Sequence, residues 1–313
     1  QMICKRSESI IMKKFLKLFL IISLSIIIIS GCGKKDEVGI SNNKDKIKVV
    51  VTFSPLREFV DYIGKDKVDV NVIIPEGTEP HDFEPKAKDI MKLNEGDLFI
   101  YNGFGMEGWV DKTLKSIENN KMLIVDSSKG CEPINIEEDN HDHGNSNDPH
   151  IWLGLTTAKR QAFNIKESLI KLDESNKEFY EENYKEFEKE IDNLLNSYKN
   201  KFEQLDNKSF VTGHSAFSYF CRDFGLEQRS VEGVFAEGEP SSKKLKELVD
   251  YCKSKNIKTI FLEENVSPKV SETLAKEVGA EVKVIDTIEY KKEDKKYLEI
   301  MKENIDKVYN SLK

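Results

Sequence analysis

The chain has 313 residues, of which 38% are hydrophobic and 33% charged, with a formal net charge of −8. That length exceeds one average domain and holds enough apolar material for real cores, which excludes a disordered chain and favours two lobes. The acidic balance excludes a nucleic-acid or anionic-lipid surface and suits a soluble protein working beside a membrane.

Residues 1–11 have no signal character, and the real start is expected at Met12. From there "MKKFLKLFLIISLSIIIISGC" sets Lys13, Lys14 and Lys17 ahead of a short apolar run, the pattern of an export signal rather than of a membrane span. The run ends in Ile29-Ser30-Gly31-Cys32, which resembles the lipobox of bacterial lipoproteins. The resemblance implies a signal peptide over residues 1–31, cleavage before Cys32 and lipidation of that cysteine, with two acylations satisfying the need for more than one chain in a durable anchor. Those residues hold five basic side chains and one acidic, +4 of the total of −8, so the remainder carries −12. Residues 32–46 are polar and without periodicity, as a flexible tether is.

Folding is expected to start near Ile47. Apolar runs at 47–53, 68–74, 98–102 and 122–125 alternate with helical stretches such as 55–63 and 85–94, the signature of a parallel α/β sheet in a lobe spanning 47–173. A long helix is expected over 174–205. Ser175 and Glu178 form an S-x-x-E capping pattern, and Tyr180, Tyr184, Phe187, Ile191, Leu194, Tyr198, Phe202 and Leu205 recur at spacings of three and four. One apolar seam between two α/β units reads as an intramolecular strut rather than a coiled-coil dimer helix. The second lobe, 206–313, repeats the plan, with strands near 209–212, 227–231, 259–263 and 282–286 and helices near 215–224, 241–255 and 267–278. Of the cysteines beyond Cys32, Cys131, Cys221 and Cys252, none lies in a CxxC pair, so no zinc ribbon or redox motif is signalled. A Cys221–Cys252 disulfide and buried free thiols both remain open.

In an open α/β sheet, ligands bind beyond the carboxyl ends of the strands. His81 follows the second predicted strand, and His214 follows the first strand of the second lobe. Asp286 ends the last strand with Glu289 three residues on, while His150 precedes the helix near Thr157. Three imidazoles and a carboxylate converging on an interlobe cleft suit Zn²⁺, which takes nitrogen and oxygen donors in a tetrahedron. Asp82 and Asp148, beside two of the histidines, are candidates for orienting a ring nitrogen. The histidines are far apart in sequence and no H-E-x-x-H is present, so a zinc hydrolase is not the expectation.

The blocks "FSPLREFVDYIG", "VIIPEGTEPHDFEPKAKDI", "NGFGMEGWVD", "DPHIWLGL", "TGHSAFSYFCRDFGL" and "EGEPSSKKLKELVDYCKSKNIKTIFLEENVSPKVSETLAKEVGAEV" resemble, in order, those of the zinc-binding solute-binding lipoproteins of metal ABC transporters. The resemblance covers the chain from about Lys46. It implies two four-stranded α/β lobes joined by a rigid backbone helix, and a non-enzymatic receptor that passes its metal to a membrane permease driven by an ATPase. It implies a monomer, anchored by lipid on the outer, periplasmic side of the cytoplasmic membrane.

The family's ligands fall on His81, His150 and His214. The manganese branch tends to place a carboxylate where His214 stands, so zinc is favoured, with manganese or ferrous iron as alternatives. For the fourth ligand, zinc members point to Glu289 and manganese members to Asp286, or water completes the shell. Zinc members also carry a His- and acid-rich loop ahead of the second ligand. Here it is 137–148, with His141 and His143 either sampling metal weakly or simply solvated. A secondary role as a surface adhesin, discussed for some relatives, is compatible with the sequence.

Overall fold

The computed structural model describes residues 46–136, 147–234, 240–263, 268–292 and 294–313. The expected signal and lipidation segment with Cys32, and the loop positions His141 and His143, lie outside the described residues.

Val49, Val50 and Val51 of β1 (Ile47–Val51) and Leu98, Phe99 and Ile100 of β3 (Leu98–Tyr101) are all buried, as the inner strands of a sheet covered on both faces must be. They are flanked by β2 (Val68–Val72) and β4 (Leu123–Asp126), giving a parallel sheet of order β2-β1-β3-β4. Its helices are α1 (Ser54–Gly64), α2 (Ala87–Glu95), the short α3 (Val110–Leu114) and α4 (Leu155–Leu172). The second sheet repeats the arrangement with β5 (Ser209–Thr212), β6 (Glu227–Ser230), β7 (Thr259–Glu263) and β8 (Glu281–Ile285) in the order β6-β5-β7-β8, again all parallel. Helices α6 (Ser218–Phe224), α7 (Ser242–Ser254), α8 (Pro268–Val278) and α9 (Tyr297–Ser311) accompany it.

Between the sheets runs α5 (Lys177–Glu203), 27 residues, about 40 Å long at 1.5 Å per residue. The expected seam is largely the buried face: Tyr180, Phe187, Ile191, Tyr198 and Phe202 are buried, whereas Tyr184 and Leu194 are half-buried. Asn183 joins that face because its amide donates to the carbonyl of Ile63 at 2.9 Å. Phe187 meets Phe59 of α1, and fifteen residues on Phe202 meets Phe224 of α6, so one helix packs against both halves. The Ser175–Glu178 capping pattern does not start this helix. Ser175 donates to Asp173, which also accepts from Asn176 and Tyr180, and this cluster holds a 3-10 turn over Glu174–Asn176 that leads into Lys177.

The core is continuous across the two sheets. Phe210 and Phe261 of β5 and β7 point into the same apolar mass as Val49 and Phe99, while their neighbours Val211 and Ile260 point the other way, into a smaller cluster under α7 and α8. The last helix returns to the first: Tyr297 lies edge-on to Phe59 with centroids 4.8 Å apart. Everything from Lys46 to Lys313 forms one compact unit. Cys131, Cys221 and Cys252 are free thiols, so of the two readings open for Cys221 and Cys252 the structure has unpaired cysteines.

Candidate metal centre

Both sheets reverse their strand order beside the first strand, between β1 and β3 and between β5 and β7, and the loops at the carboxyl ends of the strands meet there. His81 follows β2, His150 follows β4, His214 lies two residues beyond β5 and Glu289 four beyond β8. One donor atom from each of His150, His214 and Glu289 lies within 4.8 Å of the others, and all three side chains are buried. His81 joins through His150, with Nε2 atoms 3.3 Å apart. Neutral imidazoles can share an N–H across that gap. It is also the edge, about 3.3 Å, of a tetrahedron drawn with Zn–N bonds of about 2.0–2.1 Å.

Each ring is held by a different device. The Nδ1–H of His150 donates to Asp148 Oδ1 at 2.9 Å, and the same oxygen accepts the backbone N–H of His150, so Nε2 presents its lone pair. The segment carrying His150 is clamped on both sides. Asn102 donates to the Pro149 carbonyl and Tyr219 to the Asp148 carbonyl, each at 2.7 Å. Asn102 is itself fixed by Glu107, which accepts from the backbone N–H groups of Asn102 and Gly103 and from the Thr52 hydroxyl.

His214 faces Glu263, at the end of β7, with Nδ1 3.5 Å from Oε1, outside good hydrogen-bond geometry but well inside charge range. The backbone N–H of His214 donates to the same carboxylate oxygen at 3.2 Å. Gly213 makes the approach feasible, since a Cβ there would stand 2.0 Å from Glu263 Oε2. Helix α6 begins at Ser218 rather than near 215, because Ala216 N–H turns back to the His214 carbonyl and Phe217 N–H is taken by the Gln228 side chain.

The electrostatics differ from ring to ring. Burial, with repulsion from His150 and His214, drives the His81 pKa down to about 2. Burial likewise lowers that of His150, against the raising pull of Asp148. Both rings are therefore neutral, as cation ligands must be. At His214 burial is again the largest influence and acts downward, but Glu263, Glu289 and Glu79 together outweigh it and raise the value to about 9. Burial raises the Glu289 carboxyl, partly countered by His214.

Asp286, the other candidate carboxylate, is turned elsewhere. Its Oδ1 accepts the Ile288 N–H at 2.7 Å and its Oδ2 lies 3.3 Å from Lys292 Nζ. Glu289 instead aims a buried Oε1 that has no hydrogen-bond partner, and it belongs to the donor cluster. Ile288 just before it adopts φ +60°, a left-handed backbone that costs a β-branched residue about 1–3 kcal/mol. The carbonyl of Thr287 accepts the Trp152 indole N–H at 2.7 Å, a direct tie between the turn of Glu289 and the segment of His150. Glu263, Glu79, Asn102 and Tyr219 were not singled out by the sequence. The signal for Glu263 was its place at the end of a strand next to the one that leads to His214.

The chain is similar to known proteins along most of its length. The family described as zinc-uptake complex component A, periplasmic, matches residues 49–311. The high-affinity zinc uptake system protein ZnuA of Bacillus subtilis (strain 168) is 39% identical over 314 residues, covering 96% of this chain and 98% of the relative. Among solved structures, the laminin binding protein Lmb of Streptococcus agalactiae, described as bifunctional with adhesin and metal transporting activity, superposes with a TM-score of 0.78 at 34% identity over 85% of this chain and 100% of that one. A Zn(II)-bound variant of AdcAII from Streptococcus pneumoniae gives a TM-score of 0.78 at 33% identity, over 86% of this chain and 99% of that one. With a family match over residues 49–311 and a relative 39% identical across 96% of its length, the chain belongs to the zinc-uptake complex component A family.

Proposed function

We propose that this protein is the extracytoplasmic receptor of a metal ABC transporter, capturing Zn²⁺ with His81, His150, His214 and Glu289 and delivering it to a permease driven by its ATPase. The observation that carries the reading is the convergence, from four strand ends, of three imidazoles and a carboxylate, two of the ring nitrogens a tetrahedral edge apart. A donor set with three nitrogens favours zinc over manganese, which prefers oxygen. The protein binds its ion and does no chemistry on it. Cys32 carries the lipid that holds the receptor as a monomer at the outer face of the cytoplasmic membrane, on a tether of residues 32–46. His141 and His143 lie between His81 and His150 in sequence and are accessory at most.

The test is a competition titration of metal-stripped protein from residue 33 onward with zinc against manganese, with His214→Ala in parallel. One equivalent of zinc, bound far more tightly than manganese and weakened by the substitution, is the expected result. Preference for manganese, or indifference to His214→Ala, would overturn the ligand set.

A further inference from the structure

Glu289 does not sit on a regular element. It hangs from the turn Asp286–Glu289, which leaves β8 and must carry Ile288 through a left-handed conformation on the way. Such a turn persists only where its surroundings over-determine it. Asp286 supplies one restraint, its side chain accepting the Ile288 N–H, and Trp152 supplies another at the Thr287 carbonyl. The third comes from α9. Asn304, 1% exposed, donates its Nδ2 to the Asp286 carbonyl at 2.6 Å and accepts the Asp286 N–H on Oδ1 at 3.1 Å. A side-chain amide carries a donor and an acceptor side by side, which is what both backbone groups of one residue require. Aspartate keeps only the acceptor, and serine is too short to reach both groups.

We propose that Asn304 is a positioning residue for zinc capture: it does not touch the ion, but it clamps the root of the turn from which the Glu289 carboxylate reaches the imidazoles. The proposal rests on Glu289 being the fourth donor. On the buried face of α9, among Tyr297, Ile300, Met301, Ile305 and Val308, an asparagine that satisfies both backbone groups at the root of a ligand loop has a role that burial alone does not explain. Residues that orient a ligand in this way typically change metal affinity by about 10- to 100-fold when replaced.

The test uses protein from residue 33 onward, which contains the whole compact unit, and four versions of it: unaltered, Asn304→Asp, Glu289→Gln and the double variant. Asn304→Ser replaces Asn304→Asp if the latter does not fold. Zinc affinity is measured by competition with a chromophoric chelator, the Co²⁺-loaded visible spectrum reports the ligand set, and thermal midpoints are taken without metal. Expected are zinc binding weakened about tenfold or more by Asn304→Asp, a cobalt spectrum shifted in the same sense as for Glu289→Gln, and a double variant no weaker than Glu289→Gln alone. A lowered thermal midpoint with zinc affinity and cobalt spectrum unchanged would reduce Asn304 to a purely structural residue and overturn the proposal. So would effects of the two substitutions that add in full. If Glu289→Gln itself leaves zinc affinity and the cobalt spectrum untouched, the ligand assignment fails and the proposal with it.

Discussion

Replacing Trp152 with phenylalanine probes the tie between the two ligand-bearing segments. The indole is fully buried, edge-on to Phe53 at 4.8 Å, and its N–H is the partner of the Thr287 carbonyl at 2.7 Å. Phenylalanine keeps the aromatic contact but strands that carbonyl, and leaving a buried acceptor unsatisfied costs about 1–3 kcal/mol. The smaller ring also leaves a void of some 40 Å³, which at about 24 cal/mol per Å³ adds about 1 kcal/mol. The expected loss is therefore about 2–4 kcal/mol, well above the scatter of surface substitutions, which lie within about 0.5 kcal/mol. Urea unfolding of the metal-free protein, followed by far-ultraviolet circular dichroism so that the lost fluorophore does not matter, reads it directly. A loss below about 0.5 kcal/mol would refute the argument, because the indole and the carbonyl could not then be joined in solution.

Burial pushes the Glu107 carboxyl up to about 7 from an ordinary 4.5, against the pull of the Thr52 hydroxyl and the Asn102 and Gly103 N–H groups. A raised folded value means that stability from this group is fully present below 4.5 and is lost as pH rises through about 7, in all about 3 kcal/mol at about 1.4 kcal/mol per unit. Urea stabilities of Glu107→Gln and the unaltered protein should diverge in the variant's favour by that amount between pH 4.5 and 8, and parallel curves would contradict it. Because the pKa of His214 is raised to about 9 and that of Glu289 to about 8, zinc binding at pH 7 should release more than one proton from these two ligands. Calorimetric titrations in two buffers of different ionisation enthalpy would show this, and equal heats would count against it. Asp148→Ala frees the His150 ring and should weaken zinc binding by about 10- to 100-fold; an unchanged dissociation constant would show that Asp148 orients nothing.

The sheets were legible because parallel strands buried on both faces read as short apolar runs, such as Val49–Val51 in β1, Leu98–Ile100 in β3 and Ile260–Leu262 in β7. With the strands located, the rule that ligands bind beyond the carboxyl ends of strands gathers His81, His150 and His214 on one side of the molecule. The supports of the site were not legible in the same way. Glu263 looks like the polar end of a strand, and Asn304 looks like one more polar residue in a charged helix, since nothing local records that each faces a group far away in sequence. Ser175 and Glu178 show the converse: the local pattern is present, but Asp173 collects the nearby donors. What separates Asp286 from Glu289 is the course of the turn, which depends on the distant Asn304 and Trp152 as well as on the turn's own Asp286 side chain.

The contact between Phe59 and Tyr297 bears on how the chain matures. A chain made from its amino end delivers α1 early and α9 late. Since α9 completes the apolar mass that α1 begins, the early portion must wait with part of its greasy surface uncovered until the closing helix arrives. Folding is thereby coupled to completion of the chain. The waiting interval is when the chain is most open to proteases and holding chaperones, and a truncation that removes α9 should leave an aggregation-prone remnant rather than a smaller receptor.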